Sequence, residues 1–150
     1  MLVFATGVIT SPNYPGAYPK NLDKTEQIEV TSGNIVRLEF TIFKVHDGGN
    51  INTCPGDFVR ITDGDGTILM DNSCGYSDST YLGFQPPIIR TKTNKVEIYF
   101  HSDNVREGLG WSLNWTAVSE GGCYGNICTS KLTKQKESER KRSIIASLKL

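Results

Sequence analysis

The sequence predicts an all-β domain, a sandwich or barrel of short antiparallel strands. Three observations carry that prediction. Runs of β-branched and aromatic residues alternate with polar ones at a period of two, turn signals rich in Gly, Asp and Asn separate the runs, and no helical periodicity occurs before Ser130.

The clearest alternation spans residues 35–43, where Val36, Leu38, Phe40 and Ile42 fall on one face and Arg37, Glu39 and Thr41 on the other. That is the pattern of a strand with one buried side. Residues 95–100 repeat it with Val96, Ile98 and Phe100. Trp111, Leu113 and Trp115 alternate with Ser112, Asn114 and Thr116, which places the tryptophans in the core rather than on a ligand platform. Shorter strands are expected at 27–30, 58–62, 68–70 and 88–91. Turns are expected at Ser32-Gly33-Asn34, Asp47-Gly48-Gly49-Asn50 and Asp63-Gly64-Asp65-Gly66.

A chain of 150 residues suits one domain with a real core and a short appendage. Sixteen basic and sixteen acidic side chains cancel, so the basic excess on which nucleic-acid affinity rests is absent. The basic residues concentrate in the segment 130–150, SKLTKQKESERKRSIIASLKL, which reads as a solvated tail or linker, helical or disordered. Within it, Ser138-Glu139-Arg140-Lys141-Arg142 carries the weaker alternatives of a convertase site or a patch for heparin or acidic lipid. No apolar run approaches the ~20 residues of a spanning helix. Met1 to Ala5 is too short for a signal peptide, and the chain is expected to be a fragment of something longer.

Four cysteines, Cys54, Cys74, Cys123 and Cys128, fit two disulfides in an oxidising compartment, with three connectivities open. Zinc is the weaker alternative, because no Cys-x-x-Cys occurs and His46 and His101 lack finger spacing. No nucleophile-elbow, zincin, P-loop or dinucleotide motif is present, and no catalytic residue is predicted. His101, Ser102 and Asp103 are adjacent, but consecutive residues on a strand point to opposite faces and cannot line up as a triad.

Several motifs occur in one order. They are Gly7-Val8-Ile9-Thr10-Ser11-Pro12-Asn13-Tyr14-Pro15-Gly16-Ala17-Tyr18-Pro19, Cys54-Pro55-Gly56-Asp57-Phe58-Val59, Asp63-Gly64, Cys74-Gly75, His101-Ser102-Asp103 and Gly110-Trp111 followed by Trp115. Together, from Gly7 to Ala117, they resemble the CUB domain family. The resemblance implies a two-sheet antiparallel β-sandwich, jelly-roll-like, with an extracellular binding role inside a modular protein. It divides the chain into a CUB domain at 6–118, a Cys-containing extension at 119–129 and the basic tail. It also implies a Cys54–Cys74 disulfide. The family's other disulfide is absent, since its downstream position holds Lys24 and no Cys precedes Gly7, which leaves Cys123 to pair with Cys128 as an extra clip. The proline positions in the first motif keep that segment out of a central ladder. Tyr14 and Tyr18 are expected to cover the sandwich edge with their rings.

Many members of the family bind calcium at one end of the sandwich through three acidic side chains. Calcium takes about six to eight hard oxygen ligands. Asp57 and Asp103 match two of the three; the third position holds His46, a poor calcium ligand. The adjacent Asp47, on a Gly-rich loop, is the expected substitute, with Asn104 as a further oxygen. Tyr14 matches the family's supporting tyrosine. In such sites a carboxylate also receives a Lys or Arg of a partner. The competing reading makes Asp57 and Asp103 structural carboxylates that cap loop amides. Asn114-Trp115-Thr116 is an N-glycosylation sequon. The function expected is therefore a non-catalytic extracellular module for a protein or glycan partner. The alternatives are a self-assembling matrix or seminal-type protein and the regulatory module of a protease.

Overall fold

The computed structural model describes residues 4–77, 83–119, 123–124 and 127–128. Nine strands form two antiparallel sheets. The first sheet contains β1 (Thr6–Thr10), β9 (Gly110–Ser119) and β3 (Asn34–Val45), followed on the far side of β3 by β6 (Gly75–Ser77) and β7 (Ile89–Arg90). The second runs in the order β2 (Leu22–Glu29), β8 (Lys95–Ser102), β4 (Phe58–Asp63) and β5 (Ile68–Ser73). The expected all-β sandwich is the observed architecture, and its core lies between the sheets.

The alternation read from the sequence sets most of the inward faces. Val96, Ile98 and Phe100 of β8 are buried, as are Val36, Leu38 and Phe40 of β3 and Trp111 and Leu113 of β9. Full burial of such side chains contributes ~1.5–3 kcal/mol each before conformational entropy is counted. Phe100 from one sheet meets Trp111 from the other edge-to-face, with centroids 5.9 Å apart. Trp115 packs against the core from its margin and covers Gly7.

One phase differs from the expectation. Phe40 pairs with Leu113 but Ile42 pairs with Ser112, so Thr41 is an extra residue and β3 bulges there. Beyond the bulge the inward positions are Phe43 and Val45, while Ile42 is only half-buried. The bulge lets Phe40 and Phe43 pack against one another edge-to-face at 5.1 Å. The short strands all form, with limits shifted by a few residues, and the N-terminal motif contributes β1 as an edge strand, paired among the described residues to β9 alone.

The turns follow their chemistry. Gly66 lies at φ 88° in the β4–β5 turn and its amide donates to the carbonyl of Asp63 at 2.9 Å. The buried Asp63 carboxylate accepts from the amides of Gly64 at 2.7 Å and Lys92 at 2.6 Å and from the Thr93 hydroxyl at 2.6 Å, tying two turns together. The Cys54–Cys74 disulfide is formed, as the resemblance implied. The pairing expected between Cys123 and Cys128 falls on side chains outside the described residues. Their backbones run as the two-residue strands β10 (Cys123–Tyr124) and β11 (Ile127–Cys128), with Cys123 opposite Cys128. The basic tail at 130–150 also lies outside the described residues.

Candidate functional site

Three loops converge at one end of the sandwich. β4 and β8 are antiparallel neighbours with Phe58 opposite His101, so Asp57, just before β4, lies beside Asp103, just after β8. The segment from 46 to 56, leaving β3, closes over them. The N-terminal segment is laced to the same end: the amides of Ser11, Tyr18 and Asn21 donate to the carbonyls of Trp111, Gly108 and Asp103. Gly110 makes this approach possible, since at φ 93° a Cβ there would lie 1.9 Å from the Ser11 hydroxyl.

Asp57 is the centre of the cluster and is fully buried. One carboxylate oxygen accepts the Tyr18 hydroxyl hydrogen, and the other accepts the Asp103 amide at 2.8 Å. The Tyr18 oxygen in turn accepts the His46 amide at 2.9 Å. Burial pushes the Asp57 carboxyl above the ordinary carboxylate range, and the nearby Asp103 charge adds to that; the bonds from Tyr18 and the Asp103 amide oppose it. The Tyr18 phenol is driven well above its usual range by burial first and by its bond to Asp57 second. Among the described residues neither Asp57 nor Asp103 forms an ion pair.

The supporting tyrosine is thus Tyr18, where Tyr14 was expected. Tyr14 is half-buried and its amide donates to Ser11. Both stand before a proline, but Tyr18 is 1% exposed and packs edge-to-face on Phe100 at 4.9 Å.

Around Asp103 the site opens to solvent. A hollow of about 530 Å³ is lined by His46, Asp47, Gly48, Gly56, Asp103 and Arg106 among others. Asp103 is half-buried and one of its oxygens accepts the Val105 amide at 2.8 Å. Gly56 lets the other approach, because a Cβ there would stand 3.0 Å from it. Asp47 is held in its loop by accepting the Gly49 amide at 2.9 Å, and His46 accepts the Gly48 amide through Nδ1 at 3.2 Å. Asn104 is exposed beside Asp103. Among the described residues no three His, Cys, Asp or Glu side chains are gathered closely enough to hold a metal. Asp57 and Asp103 are brought together; Asp47 faces the same hollow but does not close on them. Two residues that the sequence did not single out border this end: Arg106, and Tyr76, whose phenol is raised by burial and then by the charges of Asp47 and Asp57.

Calcium chemistry fits part of this arrangement. A buried carboxylate with no ion-pair partner among the described residues, beside a second carboxylate, leaves excess negative charge that a hard divalent cation neutralises. The same two carboxylates also cap loop amides, as the competing reading required.

Fold and site together define a disulfide-clipped β-sandwich module with an acidic end. The chain belongs to the CUB domain family, whose family model matches residues 2–115. It is 35% identical to human cubilin over 133 residues, 85% of this chain and 3% of cubilin. It is 36% identical to human mannan-binding lectin serine protease 1 over 124 residues, 82% of this chain and 16% of that protein. The chain therefore spans a small part of the length of these relatives. Among solved structures, the CUB1-EGF-CUB2 domain of human MASP-1/3 superposes with a TM-score of 0.64 at 38% identity, covering 75% of this chain and 39% of that one. The MASP-1 CUB2 domain bound to Ca2+ superposes with a TM-score of 0.62 at 34% identity, covering 73% of this chain and 90% of that one. CUB domains are non-catalytic modules of extracellular proteins. Among the described residues no helix is long and apolar enough to cross a membrane.

Proposed function

We propose that this chain is an extracellular binding module that takes up calcium at its acidic end and there receives a basic side chain of a protein partner. The observation that carries the reading is Asp57, a fully buried carboxylate beside Asp103 with no ion-pair partner among the described residues. Asp57 and Asp103 hold the ion. Asp47, freed from the Gly49 amide, would join them, and Asn104 would supply a further oxygen. Tyr18 and the Asp103 amide keep Asp57 oriented and oppose the upward push of burial on its carboxyl. The likeness to a CUB domain bound to Ca2+ supports the same reading. Asp103 lines the rim of the hollow, which supports a contact shared between the ion and an incoming ammonium or guanidinium.

The test is retention of a lysine-rich peptide on the immobilised protein. Calcium is expected to promote retention, a chelator to release the peptide, and lysine acetylation to abolish binding. Asp103→Ala is expected to weaken binding about 10-fold or more, because the ion and the incoming cation both lose the carboxylate they share. Retention indifferent to chelator and to Asp103→Ala contradicts the proposal.

A further inference from the structure

Among the described residues the outer edge of the first sheet is unguarded, and the residue placed to guard it is Asn114. Strand β1, Thr-Gly-Val-Ile-Thr, carries no charge, no proline and no bulge. The second sheet's edges differ: β2 bears Asp23, Lys24, Glu26 and Glu29, and β5 bears Asp71. Charges of that kind discourage edge-to-edge pairing.

The direction of the free groups on β1 follows from its pairing with β9. The Ala117 amide donates to the Ala5 carbonyl at 2.8 Å and the Ser11 amide to the Trp111 carbonyl at 2.9 Å, and the register between them runs Thr6 opposite Thr116 to Thr10 opposite Ser112. In an antiparallel ladder, bonded pairs alternate with non-bonded ones. Residues 5, 7, 9 and 11 therefore bond to β9, and the N–H and C=O groups of Thr6, Val8 and Thr10 point to the open side. Two copies of this edge are self-complementary. Antiparallel pairing about Val8 sets Thr6 against Thr10 of the second copy with every outward group bonded and no like charges meeting.

Val8 is 63% exposed on the outer face, and its partner across the ladder is the exposed Asn114. The phase of β9 is fixed by Trp115, which turns inward over Gly7, where a Cβ would lie 2.5 Å from the indole nitrogen. Asn114 and Thr116, the outer residues of an Asn-x-Thr sequon, thus both face out.

We infer that Asn114 carries an N-linked oligosaccharide whose first sugars lie over Val8 and overhang β1, blocking its pairing with a second copy of this chain. The transfer joins Asn114 Nδ2 to the anomeric carbon of an oligosaccharide carried on a lipid diphosphate. The bond from that carbon to the phosphate oxygen breaks, the amide gives up one proton, and the lipid diphosphate leaves. The inference rests on the extracellular part of the proposed function.

The experiment exports the full chain behind a secretory leader from animal cells. Peptide N-glycosidase is expected to lower the mass of wild type and of Thr116→Ser, which keeps the sequon, but not that of Asn114→Gln or Thr116→Ala. In sedimentation, wild type is expected to remain monomeric. Both sugar-free variants are expected to dimerise with rising concentration, weakly, because a five-residue edge falls well short of the ~1,000 Å² of a stable interface. Adding Val8→Lys to Asn114→Gln should restore the monomer. Secreted wild type without sugar overturns the assignment, and sugar-free variants that sediment as wild type overturn the shielding. Calcium titration of Asn114→Gln is expected to match wild type, so a failure of the acidic site reads separately from a failure here.

Discussion

Replacing Cys54 and Cys74 together by Ser is expected to lower stability by about 3 kcal/mol, the chain-entropy value for a loop of this length. The two residues are 20 apart in sequence, and a reducing agent should destabilise the variant less than it does wild type. The bond does more than close that loop. Cys74 sits between β5 of one sheet and β6 of the other, and Cys54 ends the segment that closes over Asp57. Both are buried, and the Cys54 amide donates to Asn50 at 2.8 Å, so the loop carrying Asp47 loses its anchor along with the disulfide. Urea unfolding of wild type and variant, oxidised and reduced, measures the difference. The variant should also bind calcium more weakly, since Asp47 is held less well.

Tyr18→Phe is the second large expected effect, about 3 kcal/mol at neutral pH. The ring that packs on Phe100 is retained, so the loss isolates the hydroxyl. Its removal leaves one oxygen of a buried carboxylate without a donor and the His46 amide without its acceptor. Each unsatisfied group costs ~1–3 kcal/mol, more where charge is involved. The penalty should shrink on acidification. Asp57 has a folded-state pKa above its unfolded value of 3.8, so the folded state holds the proton more tightly and gains stability as pH falls from the raised value toward 3.8. Loss of the Tyr18 bond raises that folded value further, and the variant gains more over the same window. Thermal unfolding across pH 7 to about 4 reads the closing gap; a gap that stays constant would mean that Asp57 is not the group relieved.

The sandwich was largely legible in the sequence because burial on one side of a strand writes itself as alternation. Where the ladder is regular, as in β8 and the first half of β3, the alternation names the core residues directly. The bulge at Thr41 leaves no such mark: Ile42 and Phe43 are both apolar, and only the pairing with Ser112 and Trp111 decides which turns inward. The acidic end was partly legible. Asp57 and Asp103 are brought together by the register of β4 with β8, a long-range fact that motif order captured. The choice between Tyr14 and Tyr18 was not legible, because both sit in Tyr-Pro pairs and the difference is depth of burial against Phe100. Arg106 borders the site through loop packing and Tyr76 through the pairing of β6 with β3, long-range facts that leave no local signal. Asp63, read as a turn residue, is also a buried anchor for the 91–94 turn, a role set by four hydrogen-bond donors distant or adjacent in sequence.

The calcium site proposed at Asp57 and Asp103 rests on their excess negative charge. Calorimetric titration of the purified chain with calcium chloride, paired with thermal unfolding, tests it directly. A saturable heat is expected, with a stabilisation approaching ~2.7 kcal/mol when free calcium is about a hundred times the dissociation constant. Asp103→Ala should lose both the heat and the stabilisation while keeping its fold. A wild-type protein that gives no heat and no shift in its unfolding temperature would contradict the account and leave the two aspartates as caps for loop amides.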